Sequence, residues 1–183
     1  MELSVMSPVL NGTNFEESVK YLSSLGVDSI EIGAGGYPGT SHIDPAECLE
    51  NPAKVQEIKD ILKKYNMKFS AFACHGNPVH PNKAFAEKSH SEFINAMKAA
   101  VLFGADTVVG FSGCPGDCKN SENPNWVTCA WPPEYLDILN WQWDEVLIPY
   151  WKKTAEIAAE IGIKHIAFEM HPGFCVYNPR TLM

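Results

Sequence analysis

The chain lacks two features that would take it to or across a membrane. None of its 183 residues belong to an apolar run of the roughly 20 residues that a spanning helix needs. Its N-terminus has no basic segment followed by an apolar one, which a secretory signal requires. The six cysteines include no CxxC pair. Without an export signal, free thiols in a reducing compartment are the expected state, so we predict a cytoplasmic protein.

Basic residues are in the minority, with 14 Lys and Arg against 22 Asp and Glu and a formal net charge of −8. Nucleic acids and anionic membranes attract basic surfaces, so neither is expected as the main partner. A phosphate-binding P-loop is also absent, since the glycines at 33–36 precede no lysine. Cys114 and Cys118 could reach a metal, but without a second close pair ordinary loop thiols are the simpler interpretation.

Short apolar segments alternate with amphipathic helical segments along the chain. The predicted strands are residues 3–7, 29–33, 68–74, 107–111 and 164–168. Capping-box candidates at 13–16 and 89–92 and the pair Asn51-Pro52 predict helix starts, and a further helix is predicted over 143–161. This alternation predicts an α/β protein with parallel strands and right-handed crossovers.

Charged and imidazole side chains follow the fifth predicted strand. Glu169 and His171 are two residues apart, so on an extended segment they face the same side. A carboxylate at the end of an apolar strand is costly unless it is paired, hydrogen-bonded or bound to a cation. A divalent metal would suit it, namely Mg²⁺ or Mn²⁺ with oxygen ligands, or Co²⁺ or Zn²⁺ with imidazole. An ion pair with a neighbouring strand is the alternative.

Other polar groups point to the same end of the sheet, where sites of parallel α/β proteins gather. His75 ends the third strand, His80 follows in its loop, and Glu31 lies on the second strand. We predict that these three bind substrate, although a strand-end histidine is more often structural and Glu31 could pair with a lysine elsewhere. His42 and His90 are expected on the surface.

Two long connections, residues 33–50 and 112–140, have the length and the Gly and Pro content of lids or binding loops. Trp131 lies in the second of them, and we predict that its ring covers a sugar face. The alternative is that Trp126 and Trp131 only pack this loop against the rim of the sheet.

Taken together, the stretches EIGAGG, ACHGNPVHP, GFSG and FEMHP, each following a predicted strand in that order, resemble the xylose-isomerase-like sugar phosphate isomerase/epimerase family of TIM barrels. The resemblance covers essentially the whole chain. It implies a parallel (β/α) TIM-barrel type fold that is incomplete, with about five of eight strands. Residues 1–183 are then a single domain that is truncated at its C-terminus.

The resemblance also implies site roles. Glu169 would be a divalent-metal ligand (Mn, Mg, Co or Zn) and would exchange a proton next to a carbonyl, His171 would be a catalytic contact, and His75 would face the substrate. In the family the remaining metal ligands come from strands six to eight, so the metal site is expected to be incomplete in this chain.

The predicted function is that of an isomerase or epimerase of a sugar or sugar phosphate, by proton transfer next to a metal-polarised carbonyl. One alternative is an inactive partial barrel that binds a ligand or self-associates into a homo-oligomer through exposed sheet edges. The other is an abasic-site endonuclease of the same superfamily. It is disfavoured because strand four ends in residues 110–113 without a histidine and because the chain is acidic.

Overall fold

The computed structural model describes residues 2–183, in which five strands form one parallel sheet. The strands are β1 Ser4–Met6, β2 Ser29–Gly36, β3 Lys68–His75, β4 Thr107–Gly110 and β5 His165–Phe168. They pair in the order β1-β2-β3-β4-β5, each beside the strand before it. Within the described residues the sheet is open, so the incomplete parallel barrel is confirmed. The edges are β1 and β5, and self-association through them stays a prediction.

Helices occupy the connections between the strands. They are α1 Phe15–Ser24, α2 Pro45–Glu50, α3 Pro52–Lys64, α4 Lys83–Leu102, α5 Pro133–Asn140, α6 Ile148–Ile161 and α7 Pro179–Leu182. A short 3-10 helix, Ser7–Leu10, follows β1, and a π-helical segment, Trp141–Leu147, joins α5 to α6. Over residues 2–183, no helix is both long and apolar enough to cross a membrane.

Two helices begin at other residues than the predicted ones. The capping box of α1 lies one residue later than expected, because Asn14 and Glu17 exchange the side-chain and backbone hydrogen bonds at 2.9 and 3.4 Å. The predicted box at 89–92 is wrong, since those residues lie inside α4. The side chain of Asn82 accepts a hydrogen bond from the N–H of Phe85 at 3.2 Å and starts the helix six residues before Ser89.

The long connections are shorter than predicted. β2 continues to Gly36 and α2 begins at Pro45, so the first connection loses residues at both ends. The helix expected from residue 143 already begins at Pro133, whose fixed φ suits a first helical turn. The π-helical segment then carries the chain into α6 without a break. The irregular part of the second connection therefore ends near residue 132.

Strand register divides the sheet into two faces. One row of register partners is large and apolar and belongs to the main core: Ile32, Phe72, Val108 and Ile166. Phe72 and Val108 are fully buried. Because α4 contacts β2, β3 and β4, this core lies between the sheet and the helices. Burial of a side chain of this size contributes about 1.5–3 kcal/mol to stability.

The residues that follow in each strand form the opposite, inner face. These register partners carry small or short side chains: Gly33, Ala73, Val109 and Ala167. Side chains alternate between the faces of a strand, so the residue two positions further on returns to the inner face. For β3, β4 and β5 those residues are His75, Phe111 and Glu169. The register thus brings them to one point at the carboxyl end of the sheet.

The two histidines expected on the surface are not there, so that prediction is wrong. His42 is buried, and its Nε2 lies 3.2 Å from the Ser18 hydroxyl and 3.1 Å from the carbonyl oxygen of Thr13. His90 is half-buried against Tyr150, with Nδ1 2.8 Å from the phenolic oxygen. His42 lies in the connection after β2 and His90 lies in α4, and each ring has a hydrogen-bond partner there.

Candidate functional site

His75 and Glu169 meet at the carboxyl end of the sheet. Nε2 of His75 lies 2.9 Å from Oε2 of Glu169. The backbone N–H of Glu169 donates to the carbonyl oxygen of Gly110 at 3.0 Å, which prolongs the pairing of β4 with β5 by one residue. The strand register therefore fixes the carboxylate, and the end of β3 fixes the imidazole.

His75 is buried, with 2% of the residue exposed. Nδ1 has no hydrogen-bond partner within residues 2–183, and Nε2 has the Glu169 carboxylate beside it at 2.9 Å. Burial lowers the pKa of His75, and the nearby Glu169 carboxylate opposes that shift only in part. A buried, neutral imidazole with unused hydrogen-bonding capacity is uncommon in a purely structural position. The imidazole of His75 is better suited to binding a small molecule.

A second carboxylate faces the same space. Glu31 is half-buried on β2, and burial raises its pKa, with a further contribution from the negative charge of Glu169. Glu169 itself is about half exposed, since 50% of its side-chain surface is open. The influence of Glu169 on the pKa of Glu31 shows that the two carboxylates share one electrostatic environment, and negative charge of this kind attracts a cation. Glu31 pairs in register with Ala71, four residues before His75 on β3, so its place at this mouth stays a prediction.

His171 stands at the solvent side of this group. Its Nδ1 donates a hydrogen bond to the carbonyl oxygen of Pro172 at 2.6 Å, and its ring lies 5.1 Å from that of Phe111. In the neutral ring a proton on Nδ1 leaves the lone pair on Nε2. His171 also contributes to the lowered pKa of His75, so the two rings share one electrostatic environment.

Sequence reasoning missed Phe111, which links these side chains. Its ring lies 4.5 Å from His75 and 4.1 Å from Phe174, in addition to its contact with His171. Tyr37 packs on it as well, at 6.1 Å between ring centroids. The available signal was its place at the end of strand four, level with the polar strand ends. A phenylalanine after an apolar strand is usually expected to belong to the hydrophobic core, so its position alone was a weak signal of a functional role.

Two predicted substrate residues make no contact with this group in the part of the chain that the structure describes. Nδ1 of His80 accepts the N–H of Asn82 at 2.9 Å and the ring packs on Phe85 at 4.7 Å, which places His80 at the start of α4. Trp131 is 73% exposed on the loop after β4. Their role in substrate binding stays a prediction.

Trp126, the other tryptophan of that loop, packs edge-on against Tyr177 with ring centroids 5.2 Å apart. This contact joins the loop after β4 to the segment after β5, and packing of the loop tryptophans against the rim of the sheet stays a prediction.

A set of three His, Cys, Asp or Glu side chains placed to hold a metal is not found among residues 2–183. Cys114 is buried whereas Cys118 is exposed beside Ser121, so the loop thiols do not converge. The oxygen donor that suits a divalent metal here is the carboxylate of Glu169, which is a partial set. The chain thus presents a carboxylate position for a metal and not a complete site.

Side-chain hydrogen bonds hold the surrounding loops. The Asn77 amide donates to the carbonyl oxygen of Cys114 at 2.8 Å and accepts its N–H at 3.1 Å. The Gln142 amide donates to the carbonyl oxygens of Gly116 and Asn125 at 2.8 and 2.7 Å. Both side chains are buried. They connect the loop after β4 to the loop after β3 and to the π-helical segment.

These features define a parallel α/β chain of the barrel type with a carboxylate and imidazole site at the carboxyl ends of its strands. The xylose isomerase-like TIM barrel family matches residues 19–183, and the chain belongs to that family. The uncharacterized protein YfiH of Bacillus subtilis (strain 168) is 37% identical to it over 185 residues. That similarity covers 100% of this chain and 58% of YfiH, so the chain spans little more than half the length of that relative.

Solved structures share the fold. A structure of the IOLI protein with a bound zinc atom superposes with a TM-score of 0.63 at 16% identity, over 100% of this chain and 56% of that one. The 3-keto-D-glucoside 4-epimerase YcjR of E. coli superposes with a TM-score of 0.60 at 13% identity, over 95% of this chain and 57% of that one. At these identities the likeness shows the fold alone.

Proposed function

We propose that this chain carries part of the active site of a divalent-metal-dependent isomerase or epimerase that acts on a sugar or sugar phosphate by proton transfer next to a carbonyl. The observation that supports it most is the pairing of the half-exposed Glu169 with the buried, neutral His75, beside a second carboxylate, Glu31. Family membership supports the class of protein, and a structural neighbour that is itself a sugar epimerase supports the reaction.

Each side chain has a role that follows from its surroundings. Glu169 accepts the proton from the carbon next to the carbonyl, because it is the exposed carboxylate of the group. His75 offers Nδ1 to a substrate hydroxyl, since that nitrogen has no hydrogen-bond partner within residues 2–183. His171 accepts a hydroxyl proton at Nε2, because Nδ1 is committed to Pro172.

Glu169 is also the residue that would hold the metal, which would supply Lewis-acid polarisation of the substrate carbonyl when bound. The neighbouring negative charge of Glu31 adds to the attraction for a cation at this point. Because the site is partial, we expect less than one Mn, Mg, Co or Zn ion per chain by elemental analysis of protein purified without chelators, and its loss in Glu169→Ala. Metal content that is equal in both proteins would count against this assignment.

Solvent exchange at carbon tests the reaction directly. The chain is incubated in D₂O with Mn²⁺ and a panel of ketohexoses and their phosphates, and NMR follows deuterium entering next to the carbonyl. We expect exchange with the wild-type chain and its loss in Glu169→Gln. Glu160→Gln is the matched control, because Glu160 is an exposed carboxylate on α6. Exchange that survives in Glu169→Gln, or that no sugar supports, would refute the proposed function.

A further inference from the structure

A cavity of about 490 Å³ lies on the same side of the molecule, between the loop after β4 and the segment after β5. Its lining includes Thr128, Leu139, Trp143, Tyr177 and Arg180. Cavities that hold small molecules typically measure about 300–1,000 Å³. The volume therefore suits one small ligand.

Arg180 is the sole arginine of the sequence and the one charged side chain in the cavity lining. Across residues 2–183 its guanidinium forms neither a salt bridge nor a hydrogen bond. A guanidinium presents a planar fork of donors that matches a carboxylate or a phosphate. In a chain of net charge −8, the cavity is thus a local site of positive charge without an acidic partner.

The remaining walls suit a hydroxylated molecule. Trp143 and Leu139 provide an aromatic and an apolar surface. The hydroxyls of Thr128 and Tyr177 also line the cavity, and neither is hydrogen-bonded to another described residue. Flat apolar surface combined with a few free donors is the usual lining of a site for a small polar ligand.

The cavity adjoins the candidate active site through consecutive residues. Cys175 lines the cavity, and Phe174 before it stacks on Phe111 with ring centroids 4.1 Å apart and contacts His171 at 5.8 Å. A single ring layer thus connects the two regions.

We propose that this cavity binds the anionic end, a phosphate or a carboxylate, of a small polyhydroxylated ligand, with Arg180 as the charge partner. The inference deepens the proposed function and rests on it, because it assigns an anionic rather than a neutral sugar as the ligand whose reacting carbon lies at Glu169.

Calorimetric titration tests the assignment with three probes, D-fructose 6-phosphate, D-glucuronate and D-fructose, in the presence of EDTA so that binding is measured apart from metal-dependent chemistry. We expect saturable binding of at least one of the two anionic probes. D-Fructose, which carries no charge, is expected to bind at least about tenfold more weakly. A charge-assisted hydrogen bond contributes enough that Arg180→Gln weakens the anionic probe by about tenfold or more.

Two further variants separate the cavity from general charge effects. Lys119→Gln removes an exposed positive charge from the same loop outside the cavity and is expected to bind like the wild type. Ala130→Trp fills the cavity with Arg180 intact and is expected to weaken the anionic probe as well. Circular dichroism establishes that each variant is folded.

The outcomes distinguish this inference from the proposed function. No saturable binding of either anionic probe, or equal binding by Arg180→Gln and the wild type, overturns the cavity assignment, even where deuterium exchange depends on Glu169. Binding that depends on Arg180 and on the open cavity supports the assignment. The cavity assignment then holds even where no sugar exchanges deuterium. In that second case only the proposed function fails.

Discussion

The close approach of β2 to β3 predicts a large and specific effect of Gly36→Ala. Gly36 has φ +65°, and a Cβ there would overlap the carbonyl oxygen of His75. The next residue, Tyr37, donates its N–H to that same oxygen at 2.7 Å. The backbone of β2 therefore rests directly on the residue that carries the candidate imidazole.

Two costs add in this variant. An alanine in the left-handed region costs about 1–2 kcal/mol. Overlap with backbone cannot be relieved by a side-chain rotation, so a local shift costs about a further 1–3 kcal/mol. Gly39→Ala is the matched control, because Gly39 has φ +71° but nothing within 4 Å of its added Cβ. Any effect of alanine on the unfolded chain is common to both variants.

Urea unfolding of both variants, followed by circular dichroism, measures the difference. We expect Gly36→Ala to be less stable than Gly39→Ala by about 1–3 kcal/mol. Since domains are stable by only about 5–15 kcal/mol, this loss is readily measured. Equal losses in the two variants would refute the claim that contact with His75, and not backbone strain alone, requires a glycine at position 36.

Three further expectations concern single side chains. Because the pKa of Glu31 is raised in the folded state, its contribution to stability is complete below the ordinary glutamate pKa and is lost as pH rises through the raised one. Glu31→Gln should therefore match the wild type near pH 4 and exceed it in stability at about pH 7 in urea titrations with EDTA; lower stability at pH 7 would contradict this. Phe72→Ala should lose about 3–5 kcal/mol in the same assay, because the ring is fully buried, and a loss below about 1 kcal/mol would contradict its central place. Brief alkylation of native protein should label Cys118 and Cys129, the exposed thiols, before the buried ones, and mass spectrometry of the peptides checks the order.

Periodicity in the sequence was sufficient to predict the sheet. All five strands lie within a few residues of their predicted places, since each is a short apolar segment between helices that end in a glycine or asparagine turn. Helix starts were less predictable. Residues 89–92 have the pattern of a capping box, yet Asn82 caps the helix earlier, and local pattern alone does not decide between two competing caps.

The candidate site was predictable where strand ends carry polar residues. Glu169, His171, His75 and Glu31 were predicted in this way, and their roles stay predictions. His80 and Trp131 were assigned from loop composition, which does not specify direction, and neither contacts the group in the described residues. The contacts of the Phe111 ring with His75 and His171, and the cavity at Arg180, depend on segments that are far apart in the chain. A single sequence does not display such contacts.

The paired hydrogen bonds of Asn77 with Cys114 have a consequence for dynamics. An amide that both donates to and accepts from one backbone unit makes the loops after β3 and β4 open together or not at all. The N–H of Cys114 should then exchange with solvent as slowly as those of the neighbouring strands, whereas the N–H groups of Lys119, Asn120 and Glu122, which form no hydrogen bond within residues 2–183, exchange freely. Any movement of the loop after β4 must pivot beyond this anchor, so the floor of the site stays rigid while its outer wall changes shape.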